Sequence, residues 1–232
     1  MRNAKDASIQ PITKFFTTSL PHQNLIQFDL ETQRSHLTRK CSETGEIKVD
    51  PTTIIIHLAN RDKFWPMAIS SWALYLGPDS SYNKSSVMVW PDLVSEGETE
   101  YTDFERALDE LYDCLDPAIR QVIIATDSSS LVQLCTKDIP ELARDKDFRR
   151  NNPMEFPIIW EGLNPNQLGY PSVGPLAFRF WLVPKELNQE AQKMAEYLID
   201  REVQMLEAES KAEFADNMRR KRRGTFGSGF NY

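Results

Sequence analysis

The sequence predicts a mixed α/β domain: a five-stranded sheet, three antiparallel strands then two parallel ones, flanked by helices. Three observations predict it. The runs Thr52–His57, Ser70–Leu76 and Ser86–Trp90 are rich in β-branched and aromatic residues and are separated by turn signals, the pattern of an antiparallel meander. After them strand-like and helix-like segments alternate, the pattern of parallel strands joined by helical crossovers. The 232 residues, 41% hydrophobic and 26% charged, suit one globular domain with tails or two small ones, and allow an ordinary core.

Residues 1–50 are polar and lack a sustained period, so they read as a mostly irregular N-terminal arm. Order begins near Pro51 with the strand Thr52-Thr-Ile-Ile-Ile-His57. The strand Ser70–Leu76 ends at the turn Gly77-Pro-Asp79, and Ser86–Trp90 ends at Pro91. Phe104, Ala107, Leu108, Leu111 and Leu115 then fall at helical spacing, with acids in the opening turns and Pro117 beyond the end. A strand over 122–125 leads to a helix from about Ser129 that carries Leu131, Val132 and Leu134. The charged stretch 141–155 reads as a loop or a broken helix, Pro157–Trp160 as a short helix, and Gly162–Pro175 as a turn-rich loop. Phe178–Val183 is a fifth strand, stopped by Pro184. From Leu187 a helix carries Ala191, Met194, Ala195, Leu198, Ile199, Val203 and Leu206 on an apolar stripe, before a disordered basic and glycine-rich end over 219–232. These segments divide the chain into an arm over 1–50, a domain over 51–205, and a charged helix end with a tail over 206–232.

Composition narrows the function classes. No apolar run approaches the roughly 18 residues of a membrane span, and no apolar signal region opens the chain. Cys41, Cys114 and Cys135 show neither metal spacing nor an even count, so a reducing, intracellular setting is expected, nuclear or cytoplasmic. Cys114 and Cys135 read as small core residues. A net charge of −7 opposes a general phosphate-binding surface but allows local basic patches. There is no GxxxxGK phosphate loop, no HExxH and no GxSxG, which removes support for nucleotide hydrolysis, zinc proteolysis and esterase chemistry.

Asp127 is the chief candidate. It closes Gln121-Val-Ile-Ile-Ala-Thr-Asp127, which places a carboxylate at the end of a buried strand where a helix pattern follows. An acid there can hold a metal at the sheet edge, or it can cap the helix beside it.

The strand order, together with four stretches, resembles the ribonuclease H domain in its divergent fungal versions. The stretches are Leu76-Gly-Pro-Asp-Ser-Ser-Tyr-Asn-Lys-Ser85, Ile124-Ala-Thr-Asp-Ser128, Phe180-Trp-Leu-Val-Pro-Lys-Glu-Leu-Asn188 and Asn188-Gln-Glu-Ala-Gln-Lys-Met-Ala195. The resemblance implies cleavage of the RNA strand of RNA–DNA hybrids by two Mg²⁺ ions held by four acids. Residue by residue, that set is degenerate here. The first-strand position falls on His57, a poor ligand for Mg²⁺. Asn60 carries no charge, and Asp62 is expected past the strand. The helix position falls on Phe104, with Glu105 beside it but about 100° around the helix. The fourth-strand acid is Asp127. The last falls on Gln192, whose amide carries no charge.

Two termini add partner motifs. Ile12, Phe15 and Phe16 would form an apolar plug on one helical turn, resembling the peptide that docks on DNA sliding clamps, although Ile9 stands where its glutamine belongs; the alternative is packing on the chain's own domain. The run Arg219, Arg220, Lys221, Arg222, Arg223 suits a nuclear localisation signal or a nucleic-acid tether, or simply a solubilising end. Trp72, Trp160 and Trp181 read as core or edge aromatics. The leading expectation is a ribonuclease H-like protein with impaired catalysis that retains nucleic-acid or protein binding. The alternatives are an active Mg²⁺-dependent hybrid ribonuclease built on Asp127 and Glu105, and a protein-interaction scaffold with no nucleic-acid role.

Overall fold

A computed structural model describes residues 14–18, 21, 24–41, 43–64, 67–91, 94–144, 163 and 176–225. Eight strands form one sheet: β1 (Lys14–Phe15), β2 (Ile26–Asp29), β3 (Arg34–Lys40), β4 (Ile47–Lys63), β5 (Ala68–Tyr75), β6 (Lys84–Trp90), β7 (Gln121–Thr126) and β8 (Ala177–Leu182). The described helices are α1 (Glu96–Asp113), α2 (Ser129–Gln133), α3 (Ile139–Arg144) and α4 (Gln189–Thr225). A π-turn over Leu134–Asp138 joins α2 to α3, and a 3₁₀ turn over Lys185–Leu187 precedes α4.

The central five strands run in the order β6-β5-β4-β7-β8. β4, β5 and β6 are antiparallel, whereas β7 and β8 run parallel to β4. This is the predicted ribonuclease H-like arrangement. β4 runs well past the predicted strand at both ends. Its first half pairs β3 and its second half pairs β5, both on the edge opposite β7. The predicted irregular arm is therefore corrected within its described residues. It contributes β1, β2, β3 and the start of β4, and widens the sheet from five strands to eight.

The run Ile54-Ile-Ile-His-Leu-Ala59 is continuous because both sheet faces are covered. Alternate residues go to opposite sides. Ile54, Ile56 and Leu58 pack with Phe104, Leu108, Leu111 and Leu131 under α1 and α2. Ile55 packs on the other side with Phe16, Leu25, Leu37 and Ile123. Ala59 meets Ala73, Ala191 and Ala195 under α4, where four small side chains let helix and sheet approach closely.

The arm is thus a cover for the second sheet face. Phe16 is 7% exposed, its amide donates to the Phe180 carbonyl at 2.7 Å, and its ring meets Trp181 edge-on at 5.6 Å. The clamp-like plug is corrected accordingly: Lys14–Phe15 is a strand paired with β8 instead of a helical turn, and Phe16 packs on its own domain. Ile12 lies outside the described residues. So do Trp160, the predicted helix 157–160, most of the stretches 141–155 and 162–175, and residues 226–232. Cys114 and Cys135 are buried in the core as thiols, as their apolar surroundings predicted.

Arg34 ties the arm to the domain. Its Nε and Nη2 donate to the Cys114 carbonyl at 3.1 and 2.8 Å, and its guanidinium lies 4.3 Å from the centre of the Tyr82 ring. α1 has no basic residue in its last turn, so Arg34 supplies the cation that its C-terminus favours. Arg34→Met keeps much of the apolar stem and removes these bonds. It is expected to lower stability by about 1.5–3 kcal/mol in urea denaturation, the range for charged hydrogen bonds.

Candidate functional site

Asp127 follows the last residue of β7, at the carboxyl edge of the sheet. It does not cap the next helix; Ser128 does, its side chain accepting from the Leu131 amide. The carboxylate of Asp127 turns instead toward α4. Its Oδ1 accepts from Asn188 Nδ2 at 2.5 Å and its Oδ2 accepts from Gln192 Nε2 at 2.9 Å. Arg61 Nη2 stands 3.6 Å from Oδ2, and the Asp127 side chain is 8% exposed. Asn188 is fully buried and also donates to the Leu58 carbonyl at 2.9 Å, so this cluster locks β4, β7 and the start of α4 together.

Sequence reasoning placed Gln192 in this cluster and missed Arg61. The strand was expected to stop near His57, but the ladder with β5 continues to Lys63, which makes Asn60, Arg61 and Asp62 strand residues. Alternation then sends Arg61 toward α4, where its Nε also meets Glu196 at 3.3 Å. Asn60 goes to the α1 side.

There it finds a second carboxylate that sequence reasoning missed. Asp103 on α1 is 1% exposed. It accepts from Asn60 Nδ2 at 2.6 Å and from Ser70 Oγ at 3.1 Å, while Ser70 Oγ accepts from the Trp90 indole at 3.0 Å. Burial pushes the Asp103 carboxyl up to about 7; the Asp62 charge adds to this, and the bonds from Ser70 and Asn60 and the Arg106 charge oppose it. The count along the helix reached Phe104, but Phe104 is core, edge-on to Phe180 at 5.9 Å. The carboxylate turned to the sheet is its neighbour Asp103. The available signal was the stripe Thr99, Asp103, Ala107: three residues four apart, all buried, two of them polar.

Glu105 is not brought to Asp127. Its charged neighbours are Asp109 and Arg106 on its own helix, and burial, with the Asp109 charge, raises its carboxyl above the ordinary range. His57 is 7% exposed, edge-on to Tyr75 at 6.4 Å, and lines a cavity of about 150 Å³ with Tyr75, Glu186, Asn188 and Glu190. Glu100, a third α1 acid, accepts from Ser130 Oγ at 2.6 Å and from Ser128 Oγ, bracing the start of α2. Trp72 is buried in the core and Trp181 is half-buried. Arg219 and Arg220 are exposed on α4, with Arg220 paired to Asp216 at 2.8 Å. The backbone of Lys221, Arg222 and Arg223 continues that helix, contrary to the predicted disorder.

Two Mg²⁺ ions at short range repel strongly and need several anions around them. Among the described residues no three His, Cys, Asp or Glu side chains form a group able to hold a metal. Asp127 has both oxygens taken by amides and a guanidinium beside it. Asp103 has both oxygens taken and favours its proton. These residues do not fit a pair of Mg²⁺ ions. Among the described residues, no helix is long and apolar enough to cross a membrane.

No family model matches the chain, and no curated protein does. Among solved structures it is similar to RNase H1 from the halophilic archaeon Halobacterium salinarum NRC-1, with 16% identity, 64% of this chain and 98% of that one covered, and a TM-score of 0.40. It is also similar to LC11-RNase H1, isolated from compost by a metagenomic approach, with 16% identity, coverages of 66% and 99%, and a TM-score of 0.43. A third is LC9-RNase H1, described as a type 1 RNase H with the type 2 active-site motif, with 13% identity, coverages of 65% and 73%, and a TM-score of 0.41. The strand order, not these similarities, identifies the fold.

Proposed function

We propose that this chain is a ribonuclease H-like binding module that has given up two-metal hydrolysis and uses the old substrate side to hold a nucleic acid or a protein. One observation carries the reading: Asp127 is satisfied by Asn188, Gln192 and Arg61, so a fixed organic cation stands where charge compensation by a metal would be needed. A divalent ion approaching Asp127 meets a like charge and must displace two amide donors. The exposed arginines of α4 offer an electrostatic tether to phosphates, and an intracellular location, nuclear or cytoplasmic, goes with this reading.

The test is incubation of purified protein with a labelled RNA–DNA hybrid, with Mg²⁺ or Mn²⁺ and with chelator, alongside binding to the same duplex. The expected outcome is no metal-dependent cleavage, with salt-sensitive binding. Metal-dependent cleavage that Asp127→Asn abolishes overturns the reading in favour of an active hybrid ribonuclease. Neither binding nor cleavage turns it toward a scaffold for protein partners.

A further inference from the structure

The last helix outruns its domain. The first turns of α4 bury Ala191, Ala195 and Ile199 against the sheet, whereas every residue from Glu207 to Arg220 is exposed. The exposed stretch from Glu207 to Arg220 is roughly 20 Å long at about 1.5 Å per residue, and the helix backbone continues to Thr225. In proteins most helical stability comes from packing an apolar face, and this stretch packs none against its own domain. It also presents Phe214, 68% exposed, and Met218, 43% exposed, to solvent.

Its charge is segregated. Glu202, Glu207, Glu209, Glu213 and Asp216 come first, interrupted only by Lys211; Arg219, Arg220, Lys221, Arg222 and Arg223 follow. At about 100° per residue, positions 207, 210, 218 and 221 all fall within roughly 40° of Phe214. One face therefore reads acid, small polar, aromatic, apolar, base.

We propose that α4 pairs antiparallel with α4 of a second copy of this chain, centred on Phe214. In that register Phe214 meets its own counterpart on the two-fold axis, Met218 faces Ser210, and position 221, a lysine, falls opposite position 207, a glutamate. The interface is isologous, the common form for a two-fold dimer. Antiparallel pairing sets each basic end against an acidic stretch, whereas a parallel pair would oppose five bases to five bases. The ion pairs now present, Lys211–Glu207 at 3.5 Å and Arg220–Asp216 at 2.8 Å, are exposed and can exchange partners at little cost. A phosphate tether through the arginines alone leaves the rest of this face unaccounted for. A nucleic acid bound there would meet Glu209, Glu213 and Asp216 within about three turns of the arginines and leave Phe214 uncovered. The pairing goes beyond the binding-module reading and stands or falls without it.

Sedimentation velocity of the full chain over a range of concentrations tests it. The expected result is a concentration-dependent shift from monomer to dimer that weakens with salt. Phe214→Glu should leave only monomer. Glu207→Lys should reduce the dimer several-fold, and Glu207→Lys combined with Lys221→Glu should restore it. These positions lie beyond the packed part of the helix, and unchanged circular dichroism of the sheet would separate loss of pairing from unfolding. A chain that stays monomeric at every concentration overturns the proposal. So does a dimer indifferent to Phe214→Glu, a charge swap that fails to restore pairing, or association that appears only when a nucleic acid is added.

Discussion

Asp103→Asn is expected to stabilise the protein above pH 7 and to flatten its stability between pH 4 and 7. Folded Asp103 keeps its proton up to about pH 7, whereas the unfolded residue releases it near 3.8. Between those values the folded state binds more protons, so its stability falls as pH rises. Its contribution is fully present below the unfolded value and gone once pH passes the folded one. About three pH units at 1.36 kcal/mol each make roughly 4 kcal/mol at pH 8, where a charge must sit unsolvated between α1 and β4. Asparagine is nearly isosteric and carries no charge. Its oxygen can keep the bond from Ser70, and the Asn60 amide can turn to accept from its nitrogen. Urea denaturation at pH 5 and pH 8 checks this. A variant less stable than the native chain at pH 8 would mean that Asp103 is held ionised.

That residue also marks where the sequence stopped being informative. The helical period correctly gave Phe104, Ala107, Leu108 and Leu111 as core, and the β-branched runs gave the five central strands with their antiparallel and parallel halves. Both signals come from apolar residues. Asp103 and Thr99 are buried polar groups and Asn60 is half-buried beside Asp103; apolar periodicity cannot register any of them. The arm failed for the same reason. β3 reads Arg34-Ser-His-Leu-Thr38, all buried, yet only Leu37 is apolar. His36 meets Thr32, the Thr38 hydroxyl donates to the Asn24 carbonyl, and Arg34 reaches Cys114, eighty residues on. A partner eighty residues away leaves no local trace, and the shorter-range bonds follow no apolar period. Asp127 was legible as the acid that closes an apolar run, and Gln192 through the resemblance of its segment. Arg61 was not, because its role depends on β4 running on to Lys63, and the polar sequence after His57 does not announce that.

Asp127→Ala is expected to lower stability by about 1–3 kcal/mol, the range for leaving buried hydrogen-bonding groups without their partner, since Arg61 is partly exposed and keeps Glu196. The change leaves the Gln192 amide and the Arg61 guanidinium without their shared acceptor, and removes one of the two acceptors of Asn188 Nδ2. Asp127→Asn should cost less, since an amide oxygen still accepts one of these bonds. The sign of the effect separates two roles for the same carboxylate. An acid kept to hold metal ions lies among other acids, so removing it from the metal-free chain relieves repulsion and raises stability. Asp127 instead lies among donors and a cation, so removing it should lower stability. Magnesium gives an independent check, because an ion that binds the folded state raises the unfolding midpoint by mass action. If Asp127 is the post to which β4, β7 and α4 are tied, the urea midpoint of the native chain is the same with Mg²⁺ and with chelator, and falls sharply in Asp127→Ala under both conditions. A midpoint that rises with Mg²⁺ in the native chain, and no longer does so in the variant, would assign the carboxylate to a metal and return the chain to the enzymes.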